Sequence, residues 1–498
     1  MNTLVRTAKQ SLHALVRTTT PSLHTGAKSL LCGDYKQFND CIYDSVMLSK
    51  FAVHIINTKE FQRLRNLRQL GSCYYIYQNA VHTRFEHSIG TYHLSKILTN
   101  RLAQHTSRVS MDMYLREIPQ LKSYISDNYS DNMCEFDIYL RELVNVAALC
   151  HDIGHGAFSH IFDDVFVKNT EYMNHENAVH EKRSGLILQH IIKSNPVLAA
   201  NICDDHIELL KLIIDPTDDC KGFIFQIVSN NINSLDVDKF DYITRDTKTL
   251  GIESSFNYKR LVNNALVIDN NIAYPEQCRY DIYNLFQTRH HMHQRVYAHK
   301  GVIAAQLMIS DIMLGVDPII NIKTSILDME KFCEITDTYI MECLKFVKLM
   351  NPQIADDPII KQAIILLDRL DNHDLYCCVA SLLTLNELCI NAQTVFGSKL
   401  GELGVDISDI VIFQSKIGYV SGNKSNPLDN IFVYKTKDNE KGVSIHATKQ
   451  GKETISHLVG DNYQEYLNII FYKKTDKKSK TETIPELKRI FLEYIGDA

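Results

Sequence analysis

A long apolar helix pattern that ends in His151 and Asp152 constrains this chain more than any other feature. In LRELVNVAALC, residues 140–150, apolar side chains recur with helical spacing, so one face is buried where the pair begins. Gly154 and Gly156 follow and break the helix. An imidazole beside a carboxylate suits a borderline or hard divalent cation, whereas a thiolate set would indicate structural zinc. The pattern predicts a helical protein whose buried face leads to a metal site.

Two further segments supply candidate ligands of the same kind. The run HTRFEHSIGTYHLSKIL places His87 at the start of another amphipathic helix. The run SLDVDKFDYITRD supplies Asp238, and also Asp236, which would either bind the metal or orient a ligand. Such a mixed set of imidazoles and carboxylates keeps open positions for water and a phosphate oxygen, unlike a closed zinc site.

These three segments carry a family resemblance. The motifs H-x-R-F-E-H-S, C-H-D-x-G-H-G-x-F-S-H and D-V-D-K-x-D-Y-x-x-R-D resemble, in order and spacing, those of the HD-domain phosphohydrolases. The similarity is greatest to the deoxynucleoside triphosphate triphosphohydrolases that also carry a SAM domain. It continues through residues 55–77, 284–300, 426–435 and 471–478, and so covers roughly residues 35–480. The resemblance implies a mostly α-helical HD-domain core with a smaller α+β C-terminal region.

The first 33 residues differ in composition from the rest of the chain. They contain no acidic residue, and an apolar side that includes Leu4 and Leu12 faces away from Arg6 and Arg17 on a helical wheel. This pattern is typical of a mitochondrial transit peptide and predicts a mitochondrial location. The alternative is a basic tail on a cytoplasmic or nuclear enzyme. The segment is too short for the SAM domain of the resembling enzymes.

Four regions are expected along the chain. After residues 1–33, an HD catalytic domain is predicted over residues 34–330, with a polar surface insertion at about 104–136. A helical extension is predicted over 331–394 and an α+β region over 395–498, where it would make oligomer or regulatory contacts. The strand-like runs of the last region are DIVIFQSKIGYV, NIFVYKTK, GVSIHAT and YLNIIFYKK.

Composition disfavours a nucleic-acid-binding surface, a disulfide framework and a membrane span. A net charge of −6 does not favour a nucleic-acid-binding surface, although a local patch remains open. The 13 cysteines are scattered without C-x-x-C spacing, which is typical of reduced thiols rather than of a disulfide framework. No uninterrupted apolar run approaches about 20 residues, so no membrane span is expected.

The resemblance assigns the metal and the catalytic residues. The metal, which could be Mn, Fe, Zn or Mg, would be held by His87, His151, Asp152 and Asp238. A proton-donating group oriented by carboxylates is expected from His155, His160, His175, Asp163 and Glu176. Each of these histidines, taken alone, is more often an ordinary core or surface residue than a catalytic one.

The resemblance also implies a substrate site for a deoxynucleoside triphosphate, with Mg on its phosphates. The triphosphate would be held by Arg84, Lys239 and Arg289. Sugar and base would meet Gln69, Leu70, Tyr242, Asp246, His293 and Tyr297. Ala298 stands where the family has a glutamine that helps to hold the base, so contacts to the base are fewer here.

A nucleotide activator and a homo-oligomer, either dimer or tetramer, are further implications of the resemblance. Positions that match the family's activator site are Lys36, Asn39, Arg65, Arg260, Lys300 and Lys473. Asn57 replaces an aspartate that reads guanine. Pro275, Gln277 and Asp281 stand in place of Arg, Lys and Asn. We therefore expect GTP to be a poor activator.

The expected activity is metal-dependent hydrolysis of deoxynucleoside triphosphates to deoxynucleoside and triphosphate. The enzymatic alternative is another HD-class phosphohydrolase or phosphodiesterase, against which three cations for one phosphate chain weigh. The non-enzymatic alternative is a nucleic-acid-binding scaffold with a vestigial site, against which the full ligand set and the acidic balance weigh.

Overall fold

Helices dominate the computed structural model, which describes residues 36–130, 132–397, 399–420, 425–435, 447–457 and 459–496. The expected mostly α-helical core with a smaller sheet-containing C-terminal region is confirmed. The predicted targeting segment, residues 1–33, lies outside the described residues.

Three helices form the centre of the core and carry the three motifs. We name them the His87 helix (Arg84–His105), the His151 helix (Ile138–Cys150) and the Asp238 helix (Val237–Leu250). Side-chain carboxylates cap the N-termini of the first two: Glu86 accepts from the backbone N–H of Thr83 at 2.9 Å, and Asp137 accepts from those of Tyr139 and Leu140. Gly251, with φ 67°, ends the Asp238 helix in the left-handed conformation.

Further helices surround this centre. They are Lys50–Ile56, Lys59–Gln62, Arg108–Arg116, Lys122–Tyr129, His180–Ser194, Pro196–Ala199, Asp204–Ile214, Tyr258–Asn264, Arg279–Met292 and Lys300–Ile320. Of three π-helical turns among the described residues, Phe162–Phe166 and His293–Tyr297 contain predicted site residues, and the third is Ser479–Thr483. Such turns are frequent at functional sites.

The predicted insertion at 104–136 is more than a surface loop. Its helices Arg108–Arg116 and Lys122–Tyr129 bury Met111, Tyr114 and Tyr124 in the main hydrophobic core. The many polar residues of this segment cover the outer face of these short helices, which is why its composition indicated a surface position.

The predicted helical extension is correct only in its first part. Helices run over Met329–Glu334, Asp337–Met350, Pro352–Ala355 and Pro358–Asp371, but Cys377–Thr384 is a β-strand. This strand pairs antiparallel with Gln464–Tyr472, which also pairs with Ile410–Gly418. Pairing with a distant segment determines its conformation, a non-local effect that residue spacing does not reveal.

The C-terminal region is joined to the HD region through a second sheet. Leu266–Ile268 and Asn271–Pro275 form a hairpin, and the latter pairs in parallel with Ile431–Tyr434, followed by Thr448–Gln450. Residues 442–446 of the expected strand GVSIHAT lie outside the described residues. Helices Ala392–Phe396, Lys399–Leu403 and Ile484–Gly496 complete the region.

The N-terminal hairpin is a separate two-stranded sheet. Strands Lys36–Asp40 and Asp44–Leu48 pair antiparallel, and Val46 and Leu48 point into the main core. The hairpin packs against the start of the His87 helix, where the ring centres of Phe38 and Phe85 are 6.2 Å apart.

Helix Lys300–Ile320 is long and apolar enough to cross a membrane by length and composition alone. Most of its side chains are buried inside the protein, and it packs against Pro358–Asp371. Its apolar character therefore has a sufficient explanation in the core.

Candidate metal centre and active site

The four predicted metal ligands converge. His87 Nε2 lies 3.3 Å from Asp152 Oδ2 and 3.1 Å from Asp238 Oδ1. His151 Nε2 lies 3.3 Å from the same Asp238 oxygen and 3.4 Å from Asp152 Oδ1. One donor atom each from His87, His151 and Asp152 falls within a 4.8 Å span.

The hydrogen bonds of the two imidazoles fit a divalent cation. His151 Nδ1 lies 2.8 Å from the carbonyl oxygen of Ala148, and His87 Nδ1 lies 2.8 Å from Asp241 Oδ2. Both contacts place the ring proton on Nδ1 and leave Nε2 as the donor to a metal. Among the described residues, buried His87 Nε2 has no hydrogen-bond partner. A metal ion would satisfy it.

Asp241 is a site residue that the sequence analysis missed. Burial opposes ionisation of this carboxyl, but Arg245 and His87 outweigh burial and lower its pKa, so it is an ionised acceptor. The available signal was its position three residues after Asp238 on the same helix, within the motif D-V-D-K-x-D-Y.

Asp236 has a different role from the two considered. Its carboxylate caps the Asp238 helix by accepting from the backbone N–H of Lys239 at 3.0 Å, and it binds Lys239 Nζ at 3.0 Å. It therefore positions a cation beside the metal site instead of orienting a ligand histidine.

A cluster of three histidines lies beside the metal ligands. The ring of His155 stacks on that of His180 with centres 3.7 Å apart, and His160 lies edge-on to both, at 4.9 and 5.6 Å. His155 Nε2 is 3.3 Å from Asp152 Oδ1. His160 is the exposed member, with 65% of its side chain accessible, so it can meet a substrate directly.

The expected grouping of His175 and Glu176 with Asp163 is wrong. Asp163 Oδ2 lies 2.9 Å from Nδ1 of His180, and its other oxygen accepts from buried Arg183. His175 instead accepts from the backbone N–H of Asn177 at 3.0 Å and caps a short 3-10 helix. The segment NHENAVHEKRSG contains two His-Glu pairs, and the structure brings the second pair to the site.

Neighbouring charges separate the protonation states of the stacked pair. Burial, Arg84 and His180 all lower the pKa of His155, so it is neutral. Burial also disfavours charge on His180, but Glu181 and Asp163 outweigh it and raise the pKa of His180. The neighbouring charges thus favour protonation of His180 and disfavour protonation of His155, an arrangement that suits proton transfer.

Two predicted phosphate-binding cations border the metal ligands. Buried Arg84 donates to Asp152 through Nη1 and to Ser159 Oγ at 2.8 Å through Nε. Its Nη2 is buried without a hydrogen-bond partner among the described residues, which leaves one donor for an anion. The second cation, Lys239, forms an ion pair with Asp236.

The third predicted cation faces the sugar side of the site. Arg289 Nε donates to the hydroxyl of Tyr242 at 3.1 Å, and Nη1 donates to the carbonyl oxygen of Gly418. Arg289 therefore connects the Asp238 helix to strand Ile410–Gly418 of the C-terminal region.

The predicted sugar and base residues also cluster. The hydroxyl of Tyr297 donates to Asp246 Oδ2 at 2.6 Å, and His293 lies edge-on to Tyr297 with ring centres 5.0 Å apart. Leu70 packs in the same apolar cluster as Tyr297. Among the described residues, Gln69 Oε1 is buried without a hydrogen-bond partner, so it is available to a ligand.

His82 is a second residue that the sequence analysis missed. Its Nε2 lies 2.7 Å from Asp246 Oδ1, so both carboxylate oxygens of Asp246 are engaged. The signal was present, because His82 is the first histidine of the motif H-x-R-F-E-H-S.

The loop after the metal ligands is strained and is held by Asp337. Phe158 and Ser159 adopt φ of 59° and 61°, which is unfavourable for residues other than glycine. The Asp337 carboxylate accepts from the backbone N–H groups of Phe158 at 2.6 Å and Arg68 at 2.9 Å. Burial raises the pKa of Asp337 to about 6, against the effect of these two donors.

The predicted activator residues separate into groups by their contacts. Lys36 lies 5.2 Å from the ring of Phe38, and Arg65 lies 3.6 Å from that of Phe85. Exposed Asn39 is on the same hairpin as Lys36. These two cations therefore share one aromatic pair.

A second group lies near Tyr376. Lys473 Nζ is 5.7 Å from the ring of Tyr376 and donates to Asp311 at 2.8 Å. Lys300 and Tyr376 line a cavity of about 330 Å³. Arg260 belongs to neither group and forms a 2.8 Å ion pair with Asp281.

Comparison with known proteins gives consistent relatives. A family model described as the HD domain matches residues 84–245. An HD domain-containing protein of Acanthamoeba polyphaga mimivirus is 37% identical, over 83% of this chain and 88% of the relative. Deoxynucleoside triphosphate triphosphohydrolase SAMHD1 of Homo sapiens is 30% identical, over 89% of this chain and 71% of the relative. The SAMHD1 homolog of Dictyostelium discoideum is 27% identical, with coverage of 90% and 79%.

Proposed function

Because this chain belongs to the HD-domain phosphohydrolase family and is related to SAMHD1, we propose that it hydrolyses deoxynucleoside triphosphates to deoxynucleoside and triphosphate. One observation carries the proposal. The Asp238 helix presents a predicted metal ligand, Asp238, then Lys239, and then Tyr242 and Asp246, over nine residues that rise roughly 12 Å along the helix. This order matches a phosphate next to a sugar in one extended ligand.

The metal would be held by His87, His151, Asp152 and Asp238, with Mn, Fe, Zn or Mg as candidates and Mg on the substrate phosphates. When bound, such an ion lowers the pKa of water and neutralises charge on the α-phosphate. Arg84 Nη2 and Lys239 Nζ add fixed positive charge for the phosphate chain.

Proton transfer falls to the histidine cluster. Water attacks the α-phosphorus and releases a proton to solvent as the new phosphorus–oxygen bond forms, while the bond from phosphorus to the 5′-oxygen breaks and His160 gives a proton to the departing 5′-oxygen. His160 is the candidate because it is exposed, while His155 and His180 stack behind it. Asp163 and Arg183 fix the orientation of His180.

Deoxyribose is the expected sugar. Tyr242 and Leu70 would crowd a 2′-hydroxyl, which would also lose its hydration without a partner. Asp246 would accept from the 3′-hydroxyl. We expect dNTPs to be favoured over NTPs by about 2–4 kcal/mol, or roughly 30- to 1000-fold in kcat/KM.

A product assay tests the proposal. Purified protein is incubated with each dNTP and with ATP in H₂¹⁸O, and triphosphate, pyrophosphate and orthophosphate are separated by anion exchange. We expect deoxynucleoside and ¹⁸O-labelled triphosphate in equal amounts, with Asp152→Ala as the inactive control. Release of orthophosphate would instead indicate another HD-class phosphohydrolase, comparable turnover of ATP and dATP would refute the sugar preference, and no product would favour a scaffold.

A further inference from the structure

Asp241 connects the metal ligand His87 to the N-terminal hairpin. Its Oδ2 lies 2.8 Å from His87 Nδ1 and accepts from Arg245 Nε at 2.8 Å. Its Oδ1 accepts from Arg245 Nη2 at 3.0 Å and from the hydroxyl of Tyr43 at 2.7 Å. Tyr43 belongs to the turn between the two hairpin strands, 198 residues before Asp241.

A second hairpin side chain reaches the same pair. Arg245 Nη1 donates to Asp40 Oδ2 at 3.0 Å. Asp40 Oδ1 accepts from the backbone N–H groups of Ile42 at 2.7 Å and Tyr43 at 3.1 Å, so this carboxylate also shapes the turn that presents Tyr43. The side chains of Asp40, Arg245 and Asp241 are at most 3% exposed, so water does not replace these bonds.

Asp241 and Arg245 pack closely against the His87 helix. A Cβ atom at Gly90, on the His87 helix, would lie 1.9 Å from Asp241 Oδ1 and 2.4 Å from Arg245 Nη2. Glycine is therefore required for the close approach of this helix to the pair. A displacement of Asp241 towards Gly90 would push against the helix that carries His87.

We propose that the N-terminal hairpin helps to position a ligand of the metal centre. Tyr43 directly, and Asp40 through Arg245, are positioning residues that hold Asp241 so that His87 presents Nε2 to the metal. A carboxylate on the far nitrogen of a metal-binding histidine fixes its tautomer and its orientation. Hairpin position and metal affinity are therefore coupled. The inference rests on the metal site of the proposed function and not on the identity of the substrate.

The test is the affinity of the full-length protein for Co²⁺ without nucleotide. Competition with a chelator gives the Kd, and visible absorption of bound Co²⁺ reports its coordination. Tyr43→Phe keeps the ring and removes one hydroxyl, and we expect a Kd about three- to tenfold higher with an altered absorption band. Asp241→Asn should raise Kd about 10- to 100-fold. Asp40→Asn should raise it about two- to fivefold.

Tyr124→Phe is the matched control. It removes another tyrosine hydroxyl, on an insertion helix, that donates at 2.6 Å to Asp137, which caps the end of the His151 helix farthest from His151. We expect a comparable loss of thermal stability and an unchanged Kd for Co²⁺. A wild-type Kd in Tyr43→Phe, or an equal loss of affinity in Tyr124→Phe, would overturn the inference. Tight Co²⁺ binding without dNTP hydrolysis would reject the proposed function and leave this inference intact.

Discussion

The metal centre and the activator positions differ in how this chain holds them. The predicted metal ligands come from three helix-containing segments of one chain, and one of them, His87, is bonded to buried Asp241, which in turn accepts from Arg245. The activator positions lie in separate groups, with Lys36 and Arg65 on one aromatic pair and Lys300 near Tyr376. The predicted metal ligands are therefore supported by buried contacts that the predicted activator positions do not share. The predictions below test each side of this difference.

The largest effect is expected at the metal ligands. Replacement of His151 or Asp152 by alanine removes one donor from a small set, so we expect hydrolysis to fall at least about 1000-fold and bound metal to decrease. Elemental analysis and a dNTPase assay measure both. His190→Ala, on helix His180–Ser194 away from the ligands, should change neither. Full activity with unchanged metal content in His151→Ala would disprove the assignment.

The next effect separates the two His-Glu pairs. His180→Asn should lower kcat on the order of 100-fold, since it removes the imidazole that stacks on His155 and pairs with Asp163. His175→Asn should change kcat by less than about threefold, because His175 only caps a short helix. Steady-state kinetics on dATP measure both variants. Equal losses would restore the grouping expected from the sequence.

The sequence predicted the metal ligands, and it missed residues whose function depends on partners far away in the chain, even where those residues lie in a motif. His87, His151, Asp152 and Asp238 were found because each lies in a motif with characteristic spacing. His82 pairs with Asp246, 164 residues later, and Asp337 supports a loop 179 residues earlier.

The same limit explains the errors in the fold and at the proton donor. Strand Cys377–Thr384 exists because it pairs with Gln464–Tyr472, so its local spacing was misleading. The two His-Glu pairs look alike in the sequence, and the contacts of His180 with Asp163 and with the ring of His155 distinguish them. The resemblance located the catalytic motifs, but it could not choose between two identical pairs five residues apart.

A smaller effect concerns stability against pH at the strained loop. The pKa of Asp337 is raised by burial to about 6 in the folded protein, compared with about 3.9 in an unfolded chain. Stability from this group is therefore fully present below about pH 4 and is lost as the pH rises through 6, by about 3 kcal/mol.

Asp337→Asn removes that dependence. Denaturant unfolding at pH 4 and pH 7 should show that wild type loses about 3 kcal/mol relative to the variant between the two values. Asp368→Asn, at an exposed ion pair with Lys348, should change the same difference by less than about 1 kcal/mol. A wild-type pH slope in Asp337→Asn would contradict the assignment of this titration.

The smallest effect is expected on the regulatory side, where we predict that GTP is a poor activator. Exposed Asn57 offers one acceptor and one donor to a guanine edge that presents only donors at N1 and N2, whereas a carboxylate would accept from both. Its loss should weaken GTP binding by about 1–3 kcal/mol, or roughly ten- to a hundredfold. Asp281 also forms a 2.8 Å ion pair with Arg260, so this cation is less available to the phosphates of GTP.

Hydrolysis of dATP and oligomer mass across a GTP titration measure the effect. Asn57→Asp should increase the response to GTP, and Asn66→Asp, an equal charge change at another exposed position, should not. Strong activation of the wild type at low micromolar GTP, with formation of a tetramer, would show that the regulatory positions are as intact as the metal centre.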